Sequence, residues 1–355
     1  MRRHANSCSL VLKKHLSNSL RVGEHPRRKS FGSFHSEHID VLLRQPKESF
    51  IVPDIVHEIR HKVVQRFPIL SQPKLDLQDR DAWKSLFFTE PSWTFLNHGA
   101  FGGALRPILY ESQLYREYCE SQPLRFYDRD YFPLLANSFR QMGEMLQIPS
   151  NSSHSKSSNT IANSQYTTHY TQDTTSKIFH TSLTPTLLPI ANVTSGLNAI
   201  MNTYAHILKP TDTIAYLSLT YGSTKKVFMD LALRTGCELK EIPISLPIPS
   251  PTHLMHTILT HITPQVKLLV LDEITSNTAI HLPIHTLAPL IKASSEHNCA
   301  IIVDAAHSLY ATPVNVGRYM GVDYWLTNGH KWLCNAKGGG LMYVFHPVST
   351  SPSSP

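Results

Sequence analysis

The chain has 355 residues, with 33 Lys and Arg against 26 Asp and Glu, for a formal charge of +7. That excess sits in residues 1–36, which hold eight basic side chains and one acid, Glu24, while residues 37–355 balance at 25 of each sign. A neutral body removes the main electrostatic argument for a nucleic-acid partner. No apolar run approaches the roughly 20 residues of a membrane helix, and five dispersed cysteines without a C-x-x-C pair argue against a zinc module or disulfide scaffold.

Residues 1–36 are rich in Arg, Lys and Ser, the composition of a mitochondrial transit peptide; the alternative is a basic tail on a cytoplasmic protein. Residues 37–90 form an N-terminal extension broken by Pro53, Pro68 and Pro73, and no long element is expected there. From about Trp93 the pattern becomes organised. Apolar positions recurring every three or four residues predict helices over 104–120 and 131–147.

Residues 149–183 read as a low-complexity insertion. Within 151–176, 16 of 26 residues are Ser, Thr or Asn, too polar to offset the entropy of ordering. Short apolar runs then predict strands over 187–192, 213–218, 266–271, 299–304, 323–327 and 340–345, with helices over 195–208, 222–235 and 284–296 between them. The alternation predicts an α/β fold, a mostly parallel sheet between helices. Ligands in such a fold gather at the carboxyl ends of the strands. Residues 346–355 are a low-complexity tail.

Three strand ends carry chemistry. In Ile301-Ile302-Val303-Asp304-Ala305-Ala306-His307 an apolar strand delivers an acid. In Tyr324-Trp325-Leu326-Thr327-Asn328-Gly329-His330-Lys331-Trp332 the next one delivers a lysine, and in Ala191-Asn192-Val193-Thr194-Ser195-Gly196 a strand breaks into a helix start. Alone, each is an ordinary turn or cap. Together they supply an amine for a Schiff base, an acid for a pyridine nitrogen and a helix terminus for a phosphate, the three needs of pyridoxal 5′-phosphate.

With these motifs in order, the sequence resembles the class V branch of the fold-type-I, pyridoxal-phosphate-dependent aminotransferases. It is most similar to the isopenicillin N epimerase-like group, which includes hercynylcysteine sulfoxide lyases. The resemblance also rests on Phe95-Leu96-Asn97-His98-Gly99-Ala100-Phe101-Gly102, on Pro123-Leu124-Arg125-Phe126 and on Asp272-Glu273-Ile274-Thr275-Ser276. It covers roughly residues 90–345, so that 91–345 is the expected cofactor-binding large domain.

The resemblance implies that Lys331 binds the cofactor covalently, that Asp304 faces its ring nitrogen and that His307 lies near its phenolic oxygen. It places Val193 and Thr194 at the phosphate, helped by Asn328 and His330. Tyr221 takes the ring-stacking position and Ser276 approaches the O3′ edge. Asn97, His98 and Arg125 are implied on the substrate side, where Arg125 would pair a carboxylate; a structural, helix-capping role is the alternative. No metal is expected.

The resemblance implies a homodimer and an amino-acid-type substrate, with epimerisation, C–S cleavage by β-elimination and transamination all open. It also implies a small C-terminal domain, expected to be missing here because the chain runs only from Lys331 to Pro355. The alternative function is therefore a truncated, catalytically silent member that keeps the cofactor-binding domain. Cysteine desulfurase activity is disfavoured, because its sulfur-carrying cysteine belongs to that later region and Cys334 reads as a packing residue.

Overall fold

Among the described residues, seven strands lie side by side in the order β1-β7-β6-β5-β4-β2-β3. Their ranges are β1 Leu187–Ile190, β2 Thr213–Leu217, β3 Glu238–Ile242, β4 Val266–Asp272, β5 Ala300–Asp304, β6 Tyr324–Asn328 and β7 Gly340–Val344. Strands β3, β2, β4, β5 and β6 run parallel, whereas β7 is antiparallel to β6 and β1 antiparallel to β7. The computed structural model describes residues 39–72, 78–148, 187–293, 298–316 and 319–345. The basic segment 1–36, the insertion 149–183 and the tail 346–355 lie outside the described residues.

The central strands are apolar at nearly every position because both faces are covered. Alternate residues feed separate cores. Leu269, Leu271, Ile301, Val303 and Trp325 face one core, and Leu268, Val270, Ile302, Tyr324 and Leu326 face the other. The second core is closed by α6 (Val193–Tyr204) and α7 (Gly222–Thr235). The first takes α5 (Tyr131–Met145), α8 (Pro251–His261) and α9 (Ile284–Ala293), together with α1 (Ile39–Arg44). Helix α6 sits close on the sheet, since a Cβ on Gly196 would come 2.6 Å from Leu326 and 2.9 Å from Ile190.

The strand expectations hold to within two residues at each end, and the helices over 104–120 and 131–147 appear as α4 (Arg106–Ser121) and α5. Three elements correct the reading. The extension 37–90 does contain a long helix, α2 (Asp54–Arg66), which buries only Ile59 and Val63 and so shows a thin apolar stripe; the shorter α3 (Arg80–Ser85) follows it. Strand β3, sequence Glu-Leu-Lys-Glu-Ile, is an edge strand with charged side chains that blunt its free edge. Helix α8 opens at Ser250, whose hydroxyl accepts from the His253 N–H, followed by Pro251 in the first turn.

Asp323 pins the start of β5 to the entry of β6. Its Oδ2 accepts from the Ile301 N–H and from Lys292 Nζ, both at 2.7 Å, and Lys292 also donates to the Cys299 carbonyl at 2.6 Å. Removing this partly buried acid leaves the Ile301 N–H without an acceptor and Lys292 without its counter-charge, so Asp323→Ala should lower unfolding free energy by about 3 kcal/mol in urea titrations. Asp323→Asn, which keeps an acceptor, should cost less.

Candidate active site

Strands β4, β5 and β6 finish side by side, and their last residues, Asp272, Asp304 and Asn328, line one open cleft. Lys331 and His307 enter it from the turns after β6 and β5. Val193 and Thr194 close one end at the first residues of α6, and Tyr221, 43% exposed, stands at the rim before α7.

Hydrogen bonds set the geometry. Lys331 Nζ lies 3.1 Å from His307 Nε2. Asp304 accepts from the Ala306 N–H at 3.1 Å and from the Thr224 hydroxyl at 3.3 Å. Asn328 Oδ1 accepts from the Val193 N–H at 3.0 Å, tying the end of β6 to the start of α6. Asn192 caps that helix by accepting from the Ser195 N–H at 2.9 Å.

Behind the cleft, buried Glu273 accepts from the Ser308 hydroxyl at 2.5 Å, the Trp325 indole N–H at 3.3 Å and the Tyr319 hydroxyl. The Ala305 carbonyl accepts from the Thr327 hydroxyl at 2.8 Å. Together these bonds hold the turn that carries Asp304 and His307.

Burial dominates the electrostatics. It pushes Asp304 above the usual carboxylate range, against the Ala306 N–H, the Lys331 charge and the Thr224 hydroxyl. Asp272, the register partner of Asp304, is raised to about 7, first by burial and then by the neighbouring charge. Burial lowers Lys331, with both acids opposing, which favours the free amine a nucleophilic lysine requires. His307 is pushed down to about 4 by burial and then by Lys331, so its ring is neutral at neutral pH.

The Asn97–Gly102 loop packs directly on this turn. A Cβ on Gly99 would meet His307 Nδ1 at 2.9 Å, and one on Gly102, whose φ is +69°, would lie 1.7 Å from the His330 carbonyl oxygen. Only glycine satisfies both the approach and the left-handed backbone at residue 102.

The remaining expected residues sit outside the cleft lining. Asn97 turns back to accept from the Ala100 N–H at 3.1 Å. His98 lies against Phe87, Phe95 and Trp332, accepting from the Gly103 N–H at 3.3 Å. Arg125 pairs with Asp130 at 3.3 Å and lies over the Tyr118 ring, the structural setting rather than an open carboxylate site. Ser276 is in the turn beyond β4, and His330 is partly buried beside the cleft with Nδ1 unpartnered. Cys334 lies 3.6 Å from His98 Nδ1, and burial pushes its thiol up, in keeping with a packing role.

Asp272 and Thr224 received no role from the sequence, although Asp272 carries the same signal as Asp304, an acid closing an apolar strand. The residues present suit a ring cation with a phosphate: two buried acids, an amine, a rim aromatic and a helix start. Asp272 Oδ2 is also buried in the cleft and makes no hydrogen bond of ordinary length, with the Thr220 hydroxyl the donor beside that carboxyl.

The depressed His307 makes its contribution to stability present above pH 6.5 and lost as pH falls toward about 4. Between those limits wild type should lose about 2 kcal/mol more unfolding free energy than His307→Gln, after allowing for solvent screening. Parallel stability curves for the two proteins would contradict a buried neutral imidazole.

The sequence model of the aminotransferase class-V family matches residues 136–351, more than half of the chain. Among curated proteins, putative L-cysteine desulfhydrase 1 of Oryza sativa subsp. japonica is 28% identical over 127 residues, which is 34% of this chain and 26% of that protein. A cysteine desulfurase of Escherichia coli (strain K12 / DH10B) is 25% identical over 159 residues, 44% of this chain and 37% of that one. The matches thus span well under half of either relative.

A C-DES variant with glycine covalently linked to its pyridoxal-phosphate cofactor superposes with a TM-score of 0.52 at 18% identity, covering 75% of this chain and 59% of that one. The Escherichia coli cysteine desulfurase CsdA gives 0.51 at 14% identity, covering 76% and 58%. These two structures share the fold, and with the family match the chain belongs to the aminotransferase class-V family of pyridoxal-phosphate-dependent enzymes.

Proposed function

We propose that this protein is a lyase acting at the α-carbon of a sulfur-bearing amino acid, cleaving a C–S bond by β-elimination. The observation that carries the reading is the Lys331 amine, half-buried between neutral His307 and the acid pair at the strand ends. Similarity to a cysteine desulfhydrase supports the substrate class. Pyridoxal phosphate, when bound, supplies the electron sink that makes the α-proton of an amino acid removable.

The chain's own residues do the rest. Lys331 is placed to bind the cofactor and, once displaced by a substrate amine, to take the α-proton with Nζ. His307 Nε2, neutral and 3.1 Å from that nitrogen, orients the amine and accepts its hydrogen bond. Asp304, buried and fixed by Thr224 and Ala306, holds negative charge against a ring nitrogen. Thr194 and the start of α6 take the phosphate, and the Tyr221 ring covers the face of the cofactor at the rim. Asn97, His98 and Arg125 remain candidates for the substrate side only if that part of the chain rearranges or a second copy completes it. A homodimer is part of this proposal, supported by large apolar side chains left exposed before and after α4, among them Leu96, Phe101 and Leu124.

Cofactor-loaded protein given L-cysteine should release sulfide with equimolar pyruvate, and Lys331→Ala should lower the rate by at least about a thousandfold. Alanine in place of pyruvate would indicate desulfurase chemistry. Inverted substrate without sulfide would indicate the epimerase-like alternative. Full turnover by Lys331→Ala would overturn the assignment of the base.

A further inference from the structure

We infer that Asp272 is a second cofactor-facing acid: it shares one proton with Asp304 in the cofactor-free cleft, and capture of a cationic ring releases that proton to solvent. The inference rests on the reading that the cleft takes pyridoxal phosphate.

Asp272 and Asp304 are register partners at the ends of adjacent parallel strands, which puts both carboxyl groups on one face of the sheet. Both line the cleft and are nearly closed to water, at 3% and 4% exposed. Their hydrogen bonding differs. Asp304 has donors on both oxygens, the Ala306 N–H on Oδ1 and the Thr224 hydroxyl on Oδ2. Asp272 accepts from the Tyr221 N–H on Oδ1 at 3.3 Å, with the Thr220 hydroxyl a further donor beside it, and its Oδ2 makes no bond of ordinary length.

Two carboxylates side by side in a dry site do not both ionise readily. The partner with a hydrogen-bond donor on each oxygen keeps the charge, so Asp304 is the carboxylate and Asp272 holds the proton. The position of Asp272 at about 7 agrees, with burial the first cause and the Asp304 charge the second.

The groups facing Asp272 come from three sides: Asp304 on β5, Lys331 after β6, and Tyr221 with Thr220 before α7. His307, after β5, is neutral at this pH. Lys331 is the facing cation, and burial works against its charge. A protonated ring nitrogen against Asp304 adds positive charge beside the pair and favours ionisation of both acids. The O–H bond of Asp272 then breaks and its proton leaves to water.

The test measures the Kd of pyridoxal phosphate for the full chain from about pH 5.5 to about 8.5, in wild type and Asp272→Asn. Titration of the phosphate and the ring is common to both proteins, so the ratio of the two constants reports Asp272 together with the part of the Lys331 charge that Asp272 supports. Wild type should gain affinity over the variant by up to about tenfold per pH unit below pH 7, with the gain flattening above it. A ratio that does not change with pH overturns the inference.

Melting of the ligand-free proteins gives an independent arm. A proton held only in the native state makes wild type lose stability relative to Asp272→Asn as pH rises toward 7. Parallel melting curves overturn the shared proton, and Asp272→Ser replaces the Asn variant if that one does not fold. If pyridoxal phosphate binds at no pH, the cofactor reading and the coupled release both fail, and the melting curves alone then decide whether the pair holds a proton.

Discussion

A carboxylate kept dry beside a half-buried lysine is the constraint on which this site depends. Either charge alone would be costly at the edge of a buried sheet. Here each offsets the other: Asp304 and Asp272 support the Lys331 charge while burial opposes it. Such a balance leaves the amine readily deprotonated and the acids responsive to any cation that enters. The three side chains meet because β4, β5 and β6 are neighbours that end at the same level of the sheet.

The surrounding structure maintains that arrangement. The Glu273 hydrogen bonds fix the turn after β5 from behind. The glycines of the Asn97–Gly102 loop let its backbone lie against His307 and His330 from the front. Helix α6 is tied to the end of β6 by the hydrogen bond from the Val193 N–H to Asn328 Oδ1, which fixes the helix start beside the lysine-bearing turn. The apolar strands explain how so many polar groups can be placed with precision, since two cores hold the sheet from both faces.

Much of this was legible in the sequence where burial and punctuation agree. Strands β4, β5 and β6 are continuous apolar runs closed by a polar residue, which marks both the strand and its functional end. Helix α7 was read with its observed limits because Gly236, at φ 74°, takes the left-handed position that ends a helix. Helix α2 is hard to read because its stripe of Ile55, Ile59 and Val63 is thin and lies between Pro53 and Pro68, and β3 because an edge strand has no need to be apolar.

The site was legible to the extent that its residues are local to strand ends. Lys331, Asp304, His307, Asn328, Val193, Thr194 and Tyr221 do converge on one cleft. Arg125 does not, because its partner is Asp130 in the next turn, a pairing that residue type alone does not announce. Asp272 was passed over because its meaning comes from lying opposite Asp304, which depends on the register of two strands separated by a helix. The most direct measurement of the whole account is borohydride reduction of cofactor-treated protein followed by peptide mapping. The account predicts one pyridoxyl group, on Lys331; a label on Lys225 or Lys337 instead, or none despite bound cofactor, would contradict it.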